Sequence, residues 1–178
     1  MTSFAETNVR VERNGRGLPG EVTDWFNDQK AAPAEVGFVL PNIKDLTQWA
    51  PLDIPQLKNN SKNSYFLALD SLTLNSDEIV RYVVAIKPAG ANITTLFFEG
   101  LDCASNQYRH YASASSTGDW RELKNSTWKI NSKNGHNAWQ GYLADEFCSF
   151  NAPWPLETIK KEFVANKWPA DCSGCQTR

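Results

Sequence analysis

The sequence predicts an α+β domain: an antiparallel β-sheet of five or more strands over about residues 62–130, two C-terminal helices packed on one face, and an extended N-terminal arm. Two features of the patterning lead there. Apolar residues recur with the two-residue period of strands through the middle of the chain, and after Asn134-Gly135 the period lengthens to that of a helix. The length of 178 residues suits one domain with appendages at its ends.

Residues 1–40 read as the arm. They mix charge with Gly15, Gly17, Pro19 and Gly20 and sustain no periodicity, apart from a short helix candidate over Glu21–Lys30 in which Val22, Trp25 and Phe26 fall at helical spacings. Prolines at 33, 41, 51 and 55 exclude continuous helix and predict an extended segment lying on a folded surface. Residues 41–168 form the α+β domain, followed by a cysteine-containing tail over 169–178.

Within the domain, Tyr65–Leu69 and Leu72–Leu74 are short apolar strands separated by Asp70-Ser71. In the run Ile79–Lys87, Val80, Tyr82, Val84 and Ile86 make one face wholly apolar, while Arg81 falls on the mixed face. The turn Pro88-Ala89-Gly90-Ala91-Asn92 joins it to a second strand over Ile93–Leu101. Tyr108–Ser115 alternates in the same way, and short strands follow around Trp120–Leu123 and Trp128–Ile130. Trp139, Tyr142, Leu143 and Phe147 then define a helix over 137–148, and Leu156, Ile159 and Phe163 a second over 155–166, with Pro155 at its first turn.

A net charge of −2 and a pI near 5.7 offer no electrostatic footprint for nucleic acid or an anionic bilayer. No stretch has the roughly 18 apolar residues of a transmembrane helix, and the first twenty residues lack the apolar core of a signal peptide. Export therefore calls for a leader upstream, and a lipid-anchoring cysteine, if the protein has one, belongs to that leader. Four cysteines, Cys103, Cys148, Cys172 and Cys175, suit an oxidising compartment, the competing reading being free thiols in a cytosolic protein. Cys172-Ser173-Gly174-Cys175 is not a haem site, because Gln176 stands where histidine is required. Its terminal position disfavours a thioredoxin-like site, and a zinc site lacks a second ligand pair. A local disulfide or a tail paired across a dimer remains for Cys172 and Cys175.

No nucleophile elbow, phosphate loop, zinc-protease or EF-hand motif is present, and no cofactor or metal is expected. With only two histidines, His110 and His136, the enzymatic alternative is a hydrolase using Glu99 and His110. Arg109 and His110 are neighbours on a strand and point to opposite faces, so convergence of Glu99, Arg109 and His110 is disfavoured. Arg109 is instead expected to pair with Glu99 or Asp102 and hold adjacent strands together. Seven tryptophans mostly fill a core. Trp25, Phe26, Trp49, Trp154 and Trp168 are the candidates for contact with a partner.

An ordered series of short motifs carries a resemblance. Asp70-Ser71-Leu72 precedes Val80-Arg81-Tyr82-Val83-Val84, then come Phe98-Glu99-Gly100-Leu101-Asp102-Cys103, Tyr108-Arg109-His110-Tyr111-Ala112, the tryptophans at 120 and 128, and Phe147-Cys148. From about Pro41 to Cys148 the chain resembles the cryptic-neisserial-protein-like family, exported proteobacterial proteins of unknown function. The resemblance implies an exported protein with paired cysteines, and on that basis a Cys103–Cys148 disulfide pinning a central strand to the helix over the sheet. It supplies no catalytic residues. The expected function is a non-enzymatic periplasmic, outer-membrane-associated or secreted bacterial protein that binds another protein, as an accessory subunit of an envelope or extracellular assembly. The alternative is a glycan or small-molecule binding module, or an inhibitor of a cell-wall hydrolase.

Overall fold

Alternation along Ile79–Lys87 places this strand at the centre of an antiparallel sheet whose two faces are both covered, so every residue from Ile79 to Ala85 is buried. The computed structural model describes residues 32–54, 57, 62–134 and 138–165, all but Ala32 in the unit that begins at Pro33. The expected helix over Glu21–Lys30, with Trp25 and Phe26, lies outside the described residues, as do His136, Trp168, Cys172 and Cys175.

The sheet has seven strands: β1 (Trp49–Leu52), β2 (Ser64–Leu74), β3 (Ile79–Lys87), β4 (Thr95–Asp102), β5 (Gln107–Ser115), β6 (Arg121–Glu122) and β7 (Lys129–Ile130). They follow one another across the sheet from β1 to β6, and β7 also pairs with β5. All pairings are antiparallel. Among the described residues a 3-10 turn over Ile43–Asp45 precedes β1, and helix α1 (Ala138–Phe147), a two-stranded hairpin of β8 (Cys148–Ser149) and β9 (Ala152–Pro153), and helix α2 (Leu156–Ala165) follow the sheet. The α+β class follows the change of period in the sequence.

The helices bury Trp139, Leu143, Phe147, Ile159 and Phe163 against Leu67, Val80, Tyr82, Val84 and Leu101, the apolar face expected of β3. The opposite face carries a second core of Ala68, Val83, Leu96, Phe98 and Tyr111. An irregular strap, residues 33–42, lies on that side: the Phe38 ring packs 4.4 Å from Tyr111 and 5.7 Å from Phe98, and Trp120 Nε1 donates to Pro41 O at 2.7 Å. Two covered faces explain why a charged residue, Arg81, is enclosed in the middle of an apolar strand.

Two local expectations are modified. The proline-rich segment was expected as extended chain, and part of it becomes strand β1. Pro51 fits there because β1 is an edge strand, so a missing N–H on its open side leaves no ladder bond unmade. Asp70-Ser71 was expected to separate two strands and instead forms a bulge inside the single strand β2. Ala68 pairs with Val83 and Thr73 with Arg81, so four residues stand opposite Tyr82 alone. Ser71 repairs the interrupted ladder by accepting from Val83 N at 2.8 Å and donating to Ala68 O at 2.7 Å. Asp70 accepts from the amides of Thr47 and Gln48 at 2.6 and 3.0 Å, fastening the turn that leads into β1.

Candidate functional site

Glu99 sits at the middle of β4 on the helix-covered face, opposite Tyr82 in the register. Its carboxylate is fully enclosed. Tyr82 Oη and Trp139 Nε1 both donate to Oε2 at 3.1 Å, and Gln140 Nε2 donates to Oε1 at 2.8 Å. Burial pushes the Glu99 carboxyl from its ordinary 4.5 up to about 7, with the three hydrogen bonds acting in the opposite direction. The sheet thus supplies the acid and one donor, and the first turn of α1 supplies the other two.

His110 is the cross-strand partner of Glu99, so the two side chains share a face. They are nonetheless engaged separately: the His110 ring stands edge-on to Phe97 with centroids 5.0 Å apart, and Nε2 lies 3.0 Å from Ala112 O. Burial lowers the His110 pKa, only partly countered by that carbonyl, which favours the neutral imidazole. A hydrolytic pair would need Glu99 or His110 to face an accessible cavity. Neither lines any of the four grooves described below.

The expected pairing of Arg109 with Glu99 or Asp102 is corrected by the structure. Arg109 lies opposite Gly100, one residue out of step with Glu99, and so projects from the strap face. Asp102 closes the turn after β4, accepting from the amide of Ser105 at 2.7 Å and from the Ser105 hydroxyl. Arg109 forms its ion pair with Glu35 of the strap.

Glu35 organises a second polar centre on that face. Its carboxylate accepts from Arg109 and from the Tyr111 hydroxyl, and lies 3.7 Å from Arg81. Arg81 is fully buried and also pairs with Asp77 at 2.7 Å, its guanidinium 5.2 Å from the Phe38 ring centre and 5.7 Å from that of Tyr111. Burial acts to raise the Asp77 carboxyl, but hydrogen bonds from Arg81, Val36 N and Ile79 N outweigh it and hold it below the ordinary aspartate value. Burial, reinforced by the bond to Glu35, pushes the Tyr111 phenol well up. Gly100 makes this geometry possible: a Cβ there would lie 2.5 Å from Tyr111 Oη. Alternation from Arg109 puts Tyr111 on this face, and the register shift between Phe98 and Glu99 lets Ala112 and Ala114 join it there. Chemically the centre is self-neutralising, two cations against two carboxylates, and it clamps the strap to the sheet.

The sequence signalled part of this arrangement. Arg81 inside an apolar run announces a buried charge in need of partners. Glu35 carried no such signal, nor did the Trp139 and Gln140 contacts to Glu99. Cys103 and Cys148 form the expected disulfide, joining the turn after β4 to the end of α1, and no cysteine is free among the described residues.

The described residues line several surface grooves, four of which bear on the candidate residues. One, of about 370 Å³, lies on the strap face between Ile43, Leu46, Trp49, Phe66, Ala85 and Leu96, with the hydroxyl residues Thr94 and Ser116 at its margin. Trp49 donates through Nε1 to Leu46 O at 3.0 Å, which holds its ring in the wall. Two further grooves border Trp120, and the fourth lies against Leu52, Ile54 and Leu57. Trp154, the remaining candidate for partner contact, is 43% exposed after β9.

A family model describing the CNP1-like family matches residues 28–163. The chain belongs to the CNP1-like family. No curated protein and no solved structure matches it. The CNP1-like span runs beyond both ends of the stretch whose motifs carried the resemblance, and it takes in the strap with Glu35 as well as α2 as far as Phe163. Both polar centres, the Ser71 bulge and the Cys103–Cys148 disulfide therefore fall inside the CNP1-like region, whereas Cys172 and Cys175 fall outside it.

Proposed function

We propose that this CNP1-like protein is an exported, non-enzymatic binding subunit that contacts another protein in the bacterial periplasm, at the outer membrane or outside the cell. The groove on the strap face is the observation that carries this reading. Its concave surface of about 370 Å³ is lined by aliphatic and aromatic side chains, including Trp49 and Phe66, while the charged groups that would do chemistry are spent inside the fold. Such a surface gains free energy by covering apolar area and lacks the paired acid and base of a hydrolase. The disulfide supports an oxidising compartment, since cytosolic thiols are kept reduced.

Purification of the tagged full chain from native envelopes tests this. A partner should co-purify in fixed stoichiometry, and a Trp49→Ala variant should release it; a lone monomer overturns the reading. Non-reducing peptide mapping of the same material should recover the Cys103–Cys148 crosslink, and free thiols at both positions would argue against export. The same aromatic groove favours one second reading, a ligand stacked on Trp49 and Phe66. Tryptophan fluorescence titration with peptidoglycan fragments and with lysozyme separates the two.

A further inference from the structure

The strap, residues 33–42, is held in its seat by side chains. Glu35 places one carboxylate oxygen on Arg109 and the other on the Tyr111 hydroxyl, and the Phe38 ring, three residues on, packs against Tyr111 and Phe98. The backbone takes little part. Among the described residues, 33–41 form no backbone–backbone hydrogen bond with the sheet; Val36 N donates instead to the Asp77 carboxylate at 3.0 Å, and Pro41 O accepts from the Trp120 ring. A Cβ on Gly37 would meet nothing within 4 Å, and Val36, Phe38 and Val39 are 40%, 38% and 89% exposed. A segment with few buried contacts and no ladder opens at much lower cost than a strand of the sheet.

The seat is only partly matched by what fills it. Asp77 holds Arg81 through two hydrogen bonds, at 2.7 and 3.2 Å, so Glu35 serves as the counter-charge of Arg109. Arg81 Nε and Arg109 Nε are both buried without a hydrogen-bond partner. Buried donors left unused cost free energy, and the single carboxylate of the strap leaves two. Lifting the strap would set an uncompensated Arg109 beside an apolar bed that includes Phe98 and Tyr111. Such a surface is complemented by a segment of the strap's own kind, a carboxylate with an aromatic ring three residues on. The bed also runs into the groove described above, because Leu46 and Leu96 pack in the same core as Phe98 and Tyr111 and line that groove as well.

We propose that the strap is an intramolecular stand-in for a peptide segment of the partner: an acidic segment with an aromatic residue three positions after a carboxylate displaces residues 33–42, seats its acid on the two arginines and lies across the bed toward the groove. This rests on the protein-binding reading above, and adds to it the chemistry of the partner and a contact that holds the site closed until the partner arrives.

The test uses the full chain and a fluorescently labelled peptide of residues 33–42. Glu35→Ala combined with Phe38→Ala frees the seat. This variant should bind the peptide at least about tenfold more tightly than the native chain, whose own strap competes at high local concentration. Adding Arg109→Gln to the variant, or exchanging the peptide's glutamate for glutamine, should weaken that binding at least about tenfold. Phe38→Ala alone keeps the Glu35–Arg109 pair and should give an intermediate affinity; it replaces the double variant if melting curves show that the latter does not fold. The protein that co-purifies from native envelopes should be captured better by the freed variant and released by unlabelled peptide.

A folded variant that binds the peptide no better than the native chain overturns the proposal, and so does binding that is indifferent to Arg109→Gln. A partner that co-purifies but is neither captured better by the variant nor released by the peptide refutes this inference and leaves the protein-binding reading intact. A protein that purifies alone in native and variant form refutes both.

Discussion

Replacing Glu99 by glutamine should stabilise the protein above pH 7 and change it little at pH 5. The folded carboxyl titrates near 7 against an ordinary 4.5, so between those values the folded state keeps a proton that the unfolded chain has released. A group with a raised folded pKa contributes its full stability below the unfolded value and loses it as pH rises through the folded one. The gap from 4.5 to about 7, at about 1.4 kcal/mol per pH unit, places the cost of ionised Glu99 at about 3 kcal/mol.

Glutamine fits the same space. Its amide oxygen, in place of Oε2, keeps the bonds from Tyr82 and Trp139, and its NH₂ faces Gln140, whose Oε1 has no partner and becomes an acceptor when that amide flips. Urea unfolding of both proteins, disulfide intact, at pH 5, 6, 7 and 8 gives the difference curve. It should widen by about 2 to 3 kcal/mol in favour of Glu99→Gln between pH 5 and pH 8. His110 acts with the opposite sign, because its lowered pKa makes stability rise with pH up to its ordinary 6.5, but it is common to both proteins and cancels. Curves that stay parallel from pH 5 to 8 would show that Glu99 does not titrate in this window and refute the argument from burial.

Other substitutions address the supports around the two polar centres. Ser71→Ala leaves the buried Val83 amide without its acceptor and should cost about 1–3 kcal/mol, with faster hydrogen exchange at that amide. Gly100→Ala forces a Cβ against Tyr111 Oη and should cost about 1–3 kcal/mol in the native background but far less when combined with Tyr111→Ala, a coupling measurable by a double-mutant cycle. Replacing Cys103 and Cys148 by serine opens a loop closed over a sequence separation of 45 and should lower stability by about 4 kcal/mol in urea titrations.

The elements of this fold were readable because each is set by short-range pattern. Val80, Tyr82 and Val84 alternate as any strand with a core face must, Gly90 marks the turn it makes, and Trp139, Leu143 and Phe147 recur at the spacing of one helical face. Arg81 could be recognised as a charge in need of partners, although their identity could not be read. Structure and sequence pattern part where one residue of register decides the outcome. Arg109 stands opposite Gly100 and not Glu99 because of the register in which the turn after Asp102 sets β5 against β4, and that register leaves no mark in local periodicity. Asp70-Ser71 looked like a break between strands because a bulge and a turn use the same small polar residues.

Glu35 falls in the irregular N-terminal arm, 74 residues from Arg109 in sequence, yet is held against it in space. An acid in an irregular segment becomes specific only when a folded surface brings cations to it. The carboxylate of Glu99 is likewise an ordinary strand residue until α1 lays Trp139 and Gln140 over it. Pattern alone settles which residues turn inward, because burying apolar area is local arithmetic along the chain. Which inward polar groups meet depends on chain closure over long separations, and only the assembled sheet and helices decide it.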